Sequence, residues 1–203
     1  MIKKLLFFVI IVSSGFFYGN CMAEAPSQVG GFKLGTYISA YKDHVDMSTS
    51  LPIRYADSIS EVEIKPTDQL ASGLIAYGTC ADPGKVVRIK LKYADSSRDF
   101  YDKLLSRFEK KFGKPTEWRG DPFHIVIAWK WSFTDKSNNR ISLILQHNKL
   151  DTDEKIGNSI KLTMTNAIDK ERQCYDKAHP GSSGSPSSGS SPAQLDWDML
   201  VPR

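Results

Sequence analysis

The chain has 203 residues, of which 40% are hydrophobic and 25% are charged, and its formal net charge is +4. This balance is ordinary for a globular protein rather than for a wholly disordered chain. The small net charge by itself does not indicate nucleic-acid binding, and we expect no nucleic-acid partner. The length fits one domain, or one domain built from two similar halves.

Residues 1–23 have the pattern of a secretory signal peptide. Two lysines precede an apolar run of eight residues, 5–12, which is too short for a bilayer span of about 20 residues. Cys21 and Ala23 place small residues at the two positions that signal peptidase reads. We therefore predict export to the periplasm or cell envelope of a bacterium. Removal of this segment takes away two lysines and no acidic residue, so the net charge falls from +4 to +2.

An alternative role for Cys21 is to carry a lipid. Bacterial lipoprotein signals resemble Leu-Ala-Gly-Cys just before the cleavage point, whereas this chain has Tyr18, Gly19, Asn20 and Cys21. The tyrosine and the asparagine depart from that pattern. Membrane contact is therefore predicted only if Cys21 is lipidated.

The first half of the predicted domain, residues 26–179, contains one short helix, near residues 36–42, and three strands. These strands are predicted at residues 61–65, 74–79 and 86–93. In the last strand, apolar residues at the odd positions alternate with Arg88, Lys90 and Lys92. Such alternation is typical of a strand with one face on a core and the other in water.

A long helix is predicted over residues 96–112. Apolar side chains recur every four residues along it, at positions 100, 104, 108 and 112, and they form a single stripe. Ser96 or Ser97 can cap the start of the helix, Gly113 can end it, and Pro115 prevents its continuation.

Residues 123–133 contain two tryptophans, two phenylalanines and a histidine. Read as a strand, with a period of two, the segment has a large apolar residue at every odd position: Phe123, Ile125, Ile127, Trp129, Trp131 and Phe133. We predict that this face packs on the long helix, because burying one large side chain contributes about 1.5–3 kcal/mol. The other face carries His124 and Lys130.

Two further strands, at residues 140–147 and 159–165, follow a predicted hairpin turn at residues 136–139. A third helix is expected near residues 169–177. The tail, residues 180–203, is rich in Gly, Ser and Pro and is predicted to be disordered. Its short apolar end is interpreted as a frayed terminus or as a docking motif, and its Leu-Val-Pro-Arg also matches a common tag-cleavage site.

These elements predict an α+β fold with two layers. A mainly antiparallel sheet of about six strands packs on one long helix and one or two short helices. The order of elements repeats as helix, three strands, helix, three strands, without a repeat in sequence. Apolar and polar residues alternate along the strands, so each strand has one apolar face and one polar face. This pattern favours an antiparallel sheet with one face in water over a doubly wound parallel sheet.

Cys80 and Cys174 are the two cysteines that remain after removal of the signal peptide. An even number of cysteines in an oxidising compartment predicts a disulfide between them. The bond would close a loop of about 95 residues, for which the chain-entropy model gives an upper figure of roughly 4–5 kcal/mol. A redox-active pair is the alternative, but the chain has no Cys-x-x-Cys.

The sequence contains none of the catalytic and nucleotide-binding motifs that we sought: His-Glu-x-x-His, Gly-x-Ser-x-Gly, the P-loop and Gly-x-Gly-x-x-Gly. The four histidines have no partners at metal-ligand spacing. We therefore predict no catalytic residues, no metal ligands, no cofactor and no enzymatic activity.

A candidate binding face is predicted on the polar side of the sheet. Its residues are Arg88, Lys90, Lys92, His124, Lys130, Arg140 and Lys161. If the strands adjoin, this basic face can meet an acidic protein, a phosphate-bearing head group or another anionic ligand. The alternative interpretation is an ordinary solvated face, in which Glu61 and Glu63 pair with the lysines across strands.

Residues 31–41, Gly-Phe-Lys-Leu-Gly-Thr-Tyr-Ile-Ser-Ala-Tyr, carry a family resemblance. They resemble the opening of outer-membrane-assembly lipoproteins of the SmpA/OmlA type and of β-lactamase-inhibitor-protein-like domains. Residues 112–133, with Phe-Gly-Lys-Pro followed by a tryptophan and paired strands, are similar to many exported α+β proteins. The resemblance implies a non-enzymatic role in the envelope through protein contacts. The chain departs from the lipoprotein group in its missing lipobox.

The functional prediction is an exported protein that acts by binding a protein partner in the periplasm or envelope. One alternative is a small-ligand-binding module that uses an aromatic-edged groove formed by Trp118, Phe123 and Trp131. A second alternative is a lipid-anchored envelope assembly factor.

Overall fold

The structure, a computed structural model, describes residues 24–54, 56–149 and 157–180. The predicted signal peptide, Cys21 and the tail from residue 181 lie outside the described residues. Two long helices, α1 (Arg98–Phe112) and α2 (Thr165–Ala178), and a 3₁₀ turn (Ile38–Tyr41) accompany the strands. The ten strands are β1 (Gln28–Val29), β2 (Phe32–Lys33), β3 (Val45–Ile53), β4 (Ala56–Ile64), β5 (Leu70–Gly78), β6 (Val86–Tyr93), β7 (Glu117–Trp118), β8 (Val126–Thr134), β9 (Arg140–Asn148) and β10 (Gly157–Met164).

Eight of the strands form one antiparallel sheet in the order β3-β4-β5-β6-β10-β9-β8-β7. The 3₁₀ turn precedes four strands, β3 to β6, and α1 precedes another four, β7 to β10. The last strands of the two sets, β6 and β10, pair at the centre of the sheet. The α+β class is therefore confirmed, with eight strands rather than about six and with four strands in each half rather than three.

One face of the sheet carries the main core. The N-terminal segment contributes Phe32, Leu34 and Ile38 to this core, and α1 packs on it beside them. The α1 helix begins where the Ser97 hydroxyl accepts a hydrogen bond from the Phe100 amide, and it ends at Gly113, whose φ is 78°. Of the two serines that could cap this helix, Ser97 is the one that does so.

The segment 123–133 is only partly the core strand that its alternation predicts. Trp131 is 1% exposed, and its indole Nε1 donates to the Gly113 carbonyl at 2.8 Å. Phe123, however, is 83% exposed, so its assignment to the core is wrong. The carboxylate of Asp121 accepts hydrogen bonds from the amides of Phe123 and Val126 and so closes a turn. The chain becomes a strand only at Val126, after His124 with its positive φ of 55°.

The opposite face is covered at one end by α2, which overturns the prediction of two layers. Ala167 and Ile168 of α2 pack on a second, smaller cluster formed by Ile59, Ala76 and Val87. The α2 helix extends the helix predicted at residues 169–177 by four residues at its start and one at its end. Among residues 24–54, 56–149 and 157–180, no helix combines the length and the apolar composition that a bilayer span requires.

The loop after β5 is tied to α2 in two ways. The disulfide between Cys80 and Cys174 is present, as predicted. The Glu171 carboxylate, 1% exposed, accepts hydrogen bonds from the amides of residues 80, 81 and 82 at 2.8, 2.9 and 2.7 Å. Gly78 makes this approach possible, because a Cβ there would collide with the Glu171 carboxylate.

Candidate basic binding face

A groove of about 650 Å³ lies on the open part of the sheet face that α2 only partly covers. Its walls come from β6, β8, β9 and β10, together with Arg119 after β7 and Thr165 at the start of α2. The polar and charged residues that line it are Arg88, Lys90, Arg119, Lys130, Ser142, Gln146, Ser159, Lys161, Thr163 and Thr165. Four of the seven residues predicted for a basic face are therefore brought together in one groove.

The strand register explains why these four residues meet. Lys90 on β6 lies directly opposite Lys161 on β10. Lys161 lies opposite Ile144 on β9, which in turn lies opposite Lys130 on β8. Because side chains at paired positions point to the same face, the three lysines form one row across the sheet. Arg88 lies one same-face position along β6 from Lys90.

The two cations at one side of the groove are already paired. The Glu117 carboxylate lies 3.0 Å from the Lys130 ammonium and 2.9 Å from the Arg119 guanidinium. The hydrogen bond from Lys130 is the main reason that the pKa of Glu117 lies below its usual value, and Arg119 adds to the effect. This side of the groove therefore contains a carboxylate of its own, which offsets one of its two positive charges.

The other side of the groove carries excess positive charge. Arg88 lies 3.4 Å from Glu61, but within the described residues Lys90 and Lys161 make no ion pair with a carboxylate. Burial is the largest cause that lowers the pKa of Lys161, and the charges of Arg88, Lys90 and Arg119 lower it further. Like charges directly opposite each other on a sheet are destabilising, so this row is kept at a cost in stability.

The remaining predicted residues lie outside this groove. Lys92 lines a neighbouring cavity of about 380 Å³ that shares Lys90, Gln146 and Ser159 with the groove. Arg140 is engaged by Asp169 of α2 at 2.7 Å. His124 is exposed in the turn before β8, with its ring centroid 5.5 Å from that of Trp118.

The aromatic-edged groove predicted as an alternative is not assembled from its three residues. Trp131 lies in the core beneath Phe108 of α1, with ring centroids 5.9 Å apart. Trp118 packs edge-on against Trp129, at 4.7 Å between centroids. Phe123 is exposed in the turn. The three side chains therefore lie in three different environments and do not line one groove.

Sequence reasoning missed several residues that matter for this face. Glu117 belongs to the two-residue strand β7, and Arg119 follows it. This strand is too short to show an alternation of apolar and polar residues. Glu171 was missed because a single acidic residue in a charged helix gives no sign of burial.

Among residues 24–54, 56–149 and 157–180, no group of three or more His, Cys, Asp or Glu side chains is placed to hold a metal ion.

The edges of the sheet present less regular surfaces than its face. The pairing of β3 with β4 shifts register between Asp46 and Leu51 and again after Pro52. Such interruptions blunt an edge strand against pairing with another chain. The other edge, β7, has only two residues. The sheet face, rather than an edge, is therefore the more regular surface that this fold offers to a partner.

Comparison with known proteins gives no match: no protein-family model, no curated protein and no solved structure is similar to this chain. The resemblance of residues 31–41 and 112–133 to envelope domains therefore remains a sequence-based expectation.

Proposed function

We propose that this protein is exported and acts by binding an acidic protein partner through the basic groove, without catalysis. The observation that carries the proposal is the pair Lys90 and Lys161, held directly opposite each other with no carboxylate between them among the described residues. An anionic group from a partner would relieve the repulsion that the folded chain tolerates. Proteins commonly retain such locally unfavourable arrangements where they serve function.

Three further features support the proposal. The cations lie on paired strands of a continuous sheet, so their Cα atoms are held in fixed positions relative to each other. The groove is open and most of its lining residues are polar or charged, which suits a charged segment better than an apolar small molecule. A disulfide joins Cys80 to Cys174, and such bonds persist mainly in oxidising compartments.

A fluorescein-labelled decapeptide of alternating Glu and Ser tests this proposal by fluorescence anisotropy. The double variant Lys90→Glu/Lys130→Glu should bind at least about tenfold more weakly than the unchanged protein, and binding should weaken as salt rises. The matched control is Lys103→Glu/Lys110→Glu on the exposed side of α1, which should bind like the unchanged protein. Equal loss in both variants would show that net charge, and not the groove, is responsible.

Photo-crosslinking in exporting bacterial cells identifies the partner. A photoreactive residue at position 159, in the groove, should capture an envelope protein that the same residue at position 106, on α1, does not. Capture of the same proteins from both positions would remove the groove from the proposal. Mass spectrometry of the captured partner should also find it chemically unaltered, as expected for binding alone.

The exported state and the lipid anchor are tested separately. Mass spectrometry of the periplasmic protein should give an N-terminus at Glu24. Incorporation of a radioactive fatty acid would instead support lipidation of Cys21 and a membrane anchor.

A further inference from the structure

Four residues on the positive side of the basic groove lie close together on the sheet. Lys90 pairs with Lys161, and Arg88 pairs with Thr163, so the four residues mark the corners of one patch on the same face. Neighbouring strands lie about 5 Å apart, and same-face residues along a strand lie about 7 Å apart. The side chains of these four residues therefore rise from an area that a single tetrahedral oxyanion can cover.

The charge of this patch is defined by its neighbours. Three cations, Arg88, Lys90 and Lys161, stand against one carboxylate, Glu61, which lies 3.4 Å from Arg88. Two positive charges are left over. A single carboxylate would neutralise only one of them, whereas a phosphoryl group supplies up to two negative charges on one compact centre.

Hydroxyl donors complete the patch. Ser159 and Thr163 line the groove on β10, on either side of Lys161. Within the described part of the chain, neither hydroxyl makes a hydrogen bond. Phosphate oxygens commonly accept hydrogen bonds from Ser and Thr as well as from Lys and Arg, so this set of donors suits such an anion.

We infer that Arg88, Lys90, Lys161 and Thr163 form a binding site for one compact dianionic group, a phosphoryl group. This inference rests on the proposed function, and it names the anchoring group that the basic groove recognises. Arg119 and Lys130 lie outside the site, because Glu117 holds them at 2.9 and 3.0 Å, whereas the contact of Arg88 with Glu61 is longer, at 3.4 Å.

Isothermal titration of the whole exported chain with inorganic phosphate and with sulfate tests the site. Both should bind saturably at one site, and chloride at matched ionic strength should not. Lys161→Met and Lys90→Met should each weaken binding about tenfold, whereas Lys103→Met on α1 should leave it unchanged. Phenyl phosphate distinguishes the source: binding equal to that of inorganic phosphate indicates the end group of a larger molecule, and binding of inorganic phosphate alone indicates a free ion.

A stability measurement separates this site from a structural role for the lysines. The melting temperature of Lys161→Met should be no lower than that of the unchanged protein, because the substitution removes a charge that repels Lys90. Lower binding together with undiminished stability therefore supports the site. Absence of saturable phosphate and sulfate binding, while the acidic peptide still binds through the groove, would overturn the site and leave the proposed function standing. Absence of both anion binding and peptide binding would contradict the site and the proposed function alike.

Discussion

The two faces of the sheet are covered in different ways. On the face beneath α1, apolar side chains such as Trp131 and Leu143 fill a continuous core. On the opposite face, α2 covers only one end, and a disulfide and a buried glutamate hold it to the loop after β5. Apolar packing spreads its free energy over many contacts, whereas the second face combines a small apolar cluster with a few specific bonds. The uncovered part of that face is therefore available for a basic groove.

The largest effect is expected on the packed face. Trp131→Ala should lower the free energy of unfolding by about 3–5 kcal/mol, because it leaves a large cavity beneath α1. Phe123→Ala, the control from the same aromatic segment, should change it by less than about 0.5 kcal/mol, since its side chain is exposed. Urea denaturation measures both. Similar losses of unfolding free energy in the two variants would contradict the exposed position of Phe123 in the turn before β8.

A smaller effect is expected from the bond that holds α2 to the open face. Replacing both Cys80 and Cys174 with serine should cost about 2–4 kcal/mol, because the unfolded chain regains the freedom of a long closed loop. Thermal unfolding with and without a reducing agent checks this. A reducing agent should lower the melting temperature of the unchanged protein and leave that of the double variant in place.

The hydrogen bonds to Glu171 should contribute somewhat less. Glu171→Gln keeps the shape of the side chain but removes the charge that three amides share, and it should cost about 1–3 kcal/mol. Asp176→Asn, an exposed change on the same helix, is the control and should have little effect. Hydrogen exchange of the amides of residues 80–82 should rise only in the first variant. Equal protection of these amides in both variants would mean that the disulfide alone holds the loop after β5 in place.

The smallest effect, and of opposite sign, is expected in the groove. Lys161→Met should stabilise the protein by about 0.5 kcal/mol at neutral pH, because it removes a charge directly opposite Lys90. The pKa of Lys161 is lower in the folded state than in the unfolded state, so the unfolded state binds more protons. Stability of the unchanged protein therefore rises with pH between the lowered pKa and the usual 10.5.

The difference between Lys161→Met and the unchanged protein should accordingly narrow over that pH range. Lys103→Met, on the exposed side of α1, should show no such convergence. Thermal unfolding at a series of pH values measures both. A constant difference would mean that the charge of Lys161 is not what destabilises this face.

The basic groove straddles the two halves of the fold. Lys90 belongs to β6, the last strand of the first half, and Lys161 belongs to β10, the last strand of the second. Their repulsive pairing exists only because these two strands meet at the centre of the sheet. Neither half alone would bring the charges together, which is why the repeat in element order bears on the binding site.

Periodic segments could be predicted from sequence because their pattern is local. The alternation in β6 and β10 and the stripe along α1 depend only on burial of one side of each element. The strands that were missed lack this signal. In β3, most residues are exposed on both sides, and β1, β2 and β7 have two residues each. The exposed position of Phe123 was also missed, because hydrogen bonds to Asp121 form a turn there and the strand begins only at Val126.

The sequence by itself determined the α+β class, the cysteine pair and the polar character of Arg88, Lys90 and Lys161, because each depends on residue type and local spacing. The tertiary structure alone decided which of these charges face one another, since strand order and register join residues more than 60 positions apart. It also decided that Glu117 neutralises Lys130 and that Lys161 is left without a carboxylate among the described residues. Electrostatic interactions depend on distance in space, and a sequence does not contain that distance.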